Sequence, residues 1–92
     1  MQQIAVIDDE RLICYLVAEA LEDHEVHCAL DGPGGRTLLQ SRPFDLALID
    51  GLMPGVPGLV LAAVAVNENT PALMISGHPD EAIKSIGSGS PT

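Results

Sequence analysis

Apolar positions fall along this chain in short runs, separated by stretches of longer period. Ile4-Ala5-Val6-Ile7, Leu46-Ala47-Leu48-Ile49 and Ala72-Leu73-Met74-Ile75 are unbroken apolar runs. Runs of this kind suit strands covered on both faces, as in a parallel sheet. They predict strand 1 over Gln3 to Ile7, strand 3 over Phe44 to Ile49 and strand 4 over Pro71 to Ser76. Glu25 to Leu30 alternates instead, with Val26, Cys28 and Leu30 on one face and His27 and Ala29 on the other. Alternation predicts an edge or half-exposed strand 2.

The longer periods predict helices between the strands. Ile13, Leu16, Val17, Ala20 and Leu21 recur at helical spacing, so helix 1 is amphipathic, with its apolar stripe inward. Asp31-Gly32-Pro33-Gly34-Gly35 is a turn signal, and a short helix 2 is expected only from Arg36 to Ser41, with Leu38 and Leu39 inward. Pro57-Gly58 leads into helix 3, Leu59 to Val66, which is apolar all round; its outer side reads either as a tolerated Ala/Val surface or as a face for self-association or a partner. His78-Pro79-Asp80-Glu81 starts helix 4, which reaches about Ile86, and Gly87 to Thr92 reads as a flexible tail. Strand followed by helix, four times over, is the pattern of a parallel α/β sheet with right-handed crossovers.

Length and charge narrow the possible functions. Ninety-two residues form one domain at most, and 47% apolar content indicates a folded globule. A net charge of −9 with four Lys+Arg argues against nucleic acid as a partner of this segment and favours a cation or a basic protein surface. No stretch reaches the roughly 20 apolar residues of a membrane span, and no signal peptide is visible. Cys14 and Cys28 lack metal spacing and are expected to be small buried hydrophobes, unpaired, in a reducing compartment. These features together point to the cytoplasm.

The chemistry lies in three acids. Asp8 and Asp9 follow strand 1, and Asp50 ends strand 3 just before a Gly/Pro loop, Gly51-Leu52-Met53-Pro54-Gly55. The carboxyl ends of strands in an open parallel sheet are where ligands bind. If strands 1 and 3 are neighbours, the acids share one pocket and repel one another unless a cation sits among them. Carboxylates with loop carbonyls and water suit Mg²⁺. Ser76 and the Gly77 amide, at the end of strand 4, would add donors to the same rim. A metal beside a strand-end Asp is an arrangement for phosphoryl transfer to that Asp.

With these motifs in place, the sequence resembles the receiver domain of two-component response regulators. The resemblance rests on Val6-Ile7-Asp8-Asp9-Glu10, on Phe44 to Asp50 with Met53-Pro54-Gly55 and Gly58, on Met74-Ile75-Ser76-Gly77, and on Asp31-Gly32 after strand 2. It implies a flavodoxin-like (CheY-like) doubly wound sheet, with strand order 2-1-3-4 in the four βα units present. Asp50 would be the phospho-acceptor, supplied by a phosphohistidine on a sensor histidine kinase or phosphotransfer protein. Asp8, Asp9, Asp50 and the Leu52 carbonyl would hold Mg²⁺, with Asp8 acting mainly through water. Ser76 would be the switch hydroxyl, and the Leu52 and Gly77 amides would cradle the phosphoryl group.

The resemblance also implies a fifth strand and helix, which are not in the sequence. Residues 1–92 are therefore expected to be an incomplete receiver. The family's strand-5 Lys-Pro and switch aromatic have no counterpart here, and Lys84, inside helix 4, reads as a surface charge. Impaired phosphorylation is expected, as is association through an exposed strand 4, helix 4 or helix 3. The alternative function is a switch-impaired interaction module. An Asp-nucleophile phosphatase fits less well, because Asp50-Gly51-Leu52 lacks that class's second acid.

Overall fold

A computed structural model describes residues 1–75. Ser76, Gly77, Lys84, helix 4 and the tail lie outside the described residues. Within them run β1 (Gln3–Ile7), α1 (Arg11–Ala20), β2 (Glu25–Ala29), α2 (Gly32–Ser41), β3 (Leu46–Asp50), α3 (Gly58–Asn67) and β4 (Ala72–Ile75). The strands form one parallel sheet in the order β2-β1-β3-β4, the order that the family resemblance implies.

Register explains which side chains share a face. Cys28, Val6, Leu48 and Leu73 lie in one row across the sheet, and Ala29, Ile7, Ile49 and Met74 in the next. Successive residues of a strand point to opposite faces. The second row's face carries the main core: Ala5, Ile7, Ala47 and Ile49 pack with Leu39 of α2 and with Leu61 and Ala65 of α3. The first row faces α1.

Helix α1 differs from its expectation. It forms as predicted but has no buried residue, and Leu12, Tyr15 and Leu16 are exposed. Ile13, Cys14, Val17 and Ala18 are half-buried and make its inward side. Helix α2 begins earlier than expected, at Gly32 rather than Arg36. The Asp31 carboxylate caps it, accepting from the Gly34 amide at 2.6 Å, and Pro33 fits its first turn. The glycines that argued for a late start serve packing instead. A Cβ on Gly35 would lie 2.6 Å from Cγ2 of Ile7, so the helix can approach β1 only with glycine there.

The expectation of unpaired cysteines is corrected. Cys14 and Cys28 are joined as a disulfide, with Cα atoms 6.2 Å apart. Sequence spacing hid the pairing. The crossover folds the inward side of α1 onto β2, where Cys28 stands beside Val6. That Cα separation is within the range a disulfide spans. The cysteines therefore no longer support a reducing compartment.

Strand β3 starts at Leu46, two residues later than predicted: the Phe44 amide bonds outside the sheet, and Asp45 meets Gln3 of β1 through its amide and its carboxylate rather than through a full ladder pair. The Phe44 amide donates to the buried Thr70 hydroxyl at 2.8 Å, and Asp45 Oδ2 accepts from the Gln3 amide. Helix α3 buries Gly58, Leu61 and Ala65 and leaves Leu59, Val60 and Val66 exposed. No helix among the described residues is long and apolar enough to cross a membrane.

Candidate functional site

The β1–β3 register brings the acids together. Ile4 pairs with Leu46 and Val6 with Leu48, so one further step sets Asp8 opposite Asp50. Both carboxylates leave the sheet on the same side, and paired strands lie about 4.8 Å apart. Asp9 follows in the loop to α1. Ligand atoms of Asp8, Asp9 and Asp50 all lie within 4.8 Å of one another. Asp8 and Asp50 are buried, at 4% and 3% exposure, whereas Asp9 faces solvent.

Local hydrogen bonds hold two of the acids. Asp8 Oδ1 accepts from the Glu10 amide and Asp50 Oδ1 from the Leu52 amide, each at 2.9 Å. Each carboxylate thus turns the backbone just beyond its strand. The Asp8 amide donates to Ala29 and the Gly51 amide to Ile75, which ties the rim to both neighbouring strands. Leu52 itself is half-exposed in the loop after Asp50.

No protein cation offsets this charge among the described residues. Glu25 is hydrogen-bonded to His27 at 2.6 Å and ion-paired with Arg42 at 3.9 Å, away from the acids. Two carboxylates at such separation repel by roughly 3–4 kcal/mol at an effective dielectric of about 20. The Asp8 carboxyl is pushed above its ordinary value, first by burial and then by the charges of Asp50, Asp9 and Glu10, while the Glu10 amide pulls the other way.

Residues 4–89 match the family model described as the response regulator receiver domain. The chain belongs to that family. Solved receivers share its fold. The receiver domain of the Francisella response regulator 1452 superposes with a TM-score of 0.74 at 26% identity, over 99% of this chain and 80% of that one. The Vibrio cholerae chemotaxis protein CheY4 gives 0.72 at 28% identity, over 97% and 81%. Brucella abortus NtrX matches at 32% identity and a TM-score of 0.74, over 98% of this chain but 22% of its own longer one.

In this receiver the described site is therefore a three-carboxylate rim plus the Leu52 loop. Ser76 and Gly77 lie beyond the described residues. The Cys14–Cys28 pair was missed by sequence reasoning, although one signal for it existed: Cys28 alternates with Val26 on the face that a right-handed crossover covers with helix 1.

The raised Asp8 carboxyl has a measurable result. In metal-free buffer at neutral pH, Asp8→Asn raises the Tm of the domain, because a buried charge among like charges is removed while Oδ1 still accepts from the Glu10 amide. The wild type holds its proton more tightly folded than unfolded. Its Asp8-linked stability is full below the ordinary carboxylate value and is lost as pH rises through the raised folded value. The gap between variant and wild type therefore closes on acidification. Thermal unfolding from pH 7 downward, in the presence of a chelator, measures it.

Proposed function

We propose that this receiver accepts a phosphoryl group on Asp50, with Mg²⁺ bound by Asp8, Asp9, Asp50 and the Leu52 carbonyl. The observation that carries the reading is the convergence of three carboxylates on the C-terminal rim, with Asp50 at the end of β3. The donor set fits a hard divalent cation. It is all oxygen, two of its carboxylates are buried, and each of these uses one oxygen on a local amide. When bound, Mg²⁺ would neutralise the cluster and screen charge on the incoming phosphoryl group.

The chain's own part is nucleophilic. A free Asp50 oxygen attacks phosphorus, the P–N bond to a donor imidazole breaks, and an acyl phosphate remains on Asp50. In this reading the Leu52 amide, which donates to Oδ1 at 2.9 Å, would also serve a phosphoryl oxygen. Ser76 and Gly77 complete the cradle in this reading, with Ser76 as the switch hydroxyl. Receiver domains are generally not turnover enzymes, and this one is read as an acceptor. Its donor is a sensor histidine kinase or a phosphotransfer protein, and its place is the cytoplasm.

A second reading, a switch-impaired interaction module, is supported by the exposed apolar side chains Leu73 and Met74 on β4 and Leu59 and Val66 on α3. In that reading this edge, α3 or helix 4 associates with a second copy or a partner.

One experiment separates the two. The chain is incubated with Mg²⁺ and a small phosphodonor and its intact mass is followed. The acceptor reading expects a single added phosphoryl group that is labile to hydroxylamine and absent with a chelator. An unchanged mass at saturating donor and Mg²⁺ leaves the interaction module.

A further inference from the structure

The cysteine pair carries an inference independent of the carboxylate site. Among the described helices, α1 has the least buried seat on the sheet. It buries no residue, its N-cap Glu10 makes no side-chain cap bond, and Leu12, Tyr15 and Leu16 point to solvent. The other described helices are anchored by buried side chains, Leu39 in α2 and Leu61 and Ala65 in α3. The covalent tie of α1 to the sheet is Cys14–Cys28. Its position matters because β1 passes from Val6, the register partner of Cys28, to Asp8 and Asp9 and then into α1. The link therefore clamps the segment that carries two of the acids from both sides.

We propose that Cys14 and Cys28 are a reversible thiol modification site that sets how firmly α1 is docked on the sheet. Cys28 is the exposed member, on an edge strand, and is the sulfur a soluble dithiol reaches. A thiolate of the dithiol attacks Cys28 Sγ, the bond to Cys14 breaks, and Cys14 leaves as a thiolate that takes a proton. The second thiolate of the reductant then attacks the mixed disulfide, freeing Cys28 as a thiol and closing the reductant's own disulfide. Two electrons pass from reductant to protein. In the cytoplasm, the compartment proposed for this receiver, disulfides are typically transient and serve catalysis or sensing. A cross-link at this position would be a second input to the domain beside phosphorylation.

The test uses the 92-residue chain. It is prepared after dithiothreitol and after diamide, and each form is alkylated with iodoacetamide under native conditions and weighed. Reduced protein takes two alkyl groups and oxidised monomer takes none. Hydrogen exchange then compares the unalkylated forms. On reduction, the amides of α1 lose at least tenfold in protection, those of α2 and α3 keep theirs, and Tm falls by several degrees. Reoxidation restores both the α1 protection and the Tm. Cys28→Ser behaves as the reduced form in both buffers. The proposal is overturned if diamide leaves both cysteines open to alkylation, if it yields only cross-linked dimers, or if α1 exchanges equally fast in both forms. The exchange comparison is made on wild-type protein, so it still decides the matter if the Cys28→Ser chain fails to fold.

Discussion

Asp50→Asn will take up no phosphoryl group from a small phosphodonor, while the domain stays folded. The substitution keeps the shape of the side chain. Asn Oδ1 still accepts from the Leu52 amide, so the turn after β3 and the burial of position 50 are retained. What it removes is the anionic oxygen that, in the proposed function, attacks phosphorus, together with one of three charges available to a cation. Mg²⁺ affinity should fall by about tenfold or more, worth about 1.4 kcal/mol. Asp9→Asn provides the contrast. It loses a similar share of the cation affinity at an exposed position but leaves the nucleophile, so uptake slows without vanishing. Intact mass with a Mg²⁺ titration on both variants separates the roles. Full phosphoryl addition to Asp50→Asn would place the acceptor elsewhere and remove the basis of the assignment.

The legibility of this site in the sequence has a physical explanation. Asp8 and Asp50 each follow an unbroken apolar run, and such runs fit the central strands of a parallel sheet. Once β1 and β3 are neighbours in the observed register, the period of two along each strand puts both acids on one side; the neighbourhood itself came from the family resemblance, not from the apolar pattern. What remained hidden depended on contacts between elements. The early start of α2 follows from the cap by Asp31 and the seat of Gly35 against Ile7, neither of which is a matter of helix propensity. The late start of β3 follows from Thr70 satisfying the Phe44 amide from the far side of α3. The disulfide needed the crossover to bring α1 over β2. The apolar stripe of α1 gave its helical period correctly but said nothing of how much of it the sheet would cover: Leu16, placed inward by the pattern, is half-exposed.

Gly58→Val should damage both stability and the carboxylate rim, and the reason lies in how α3 meets the loop after Asp50. A Cβ at position 58 would stand 2.6 Å from Met74 Cε, 2.9 Å from Gly51 Cα and 3.1 Å from the Asp50 carbonyl oxygen. Met74 is a flexible, partly exposed side chain and can move its terminal methyl away. The other two atoms are backbone, and they belong to the turn that holds the Asp50 carboxylate. Relief therefore requires either α3 to lift from its buried contacts at Leu61 and Ala65 or the Gly51 turn to shift. The branched methyls of valine add to the overlap, so the cost should reach about 3 kcal/mol, the upper part of the usual range for overpacking. For a domain this size that corresponds to a drop in Tm of roughly 12–24 °C. Trimming the flexible neighbour with Met74→Ala should recover only a minor part, because the backbone contacts remain. Gly58→Ala should cost less in stability but still slow phosphoryl uptake, since displacing a nucleophile by about 1 Å can cost on the order of a hundredfold in rate. Thermal unfolding and uptake rate are measured on the same three variants. Full recovery of both in the Met74→Ala background would show that the side chain, not the Gly51 turn, fixes how closely α3 approaches Asp50.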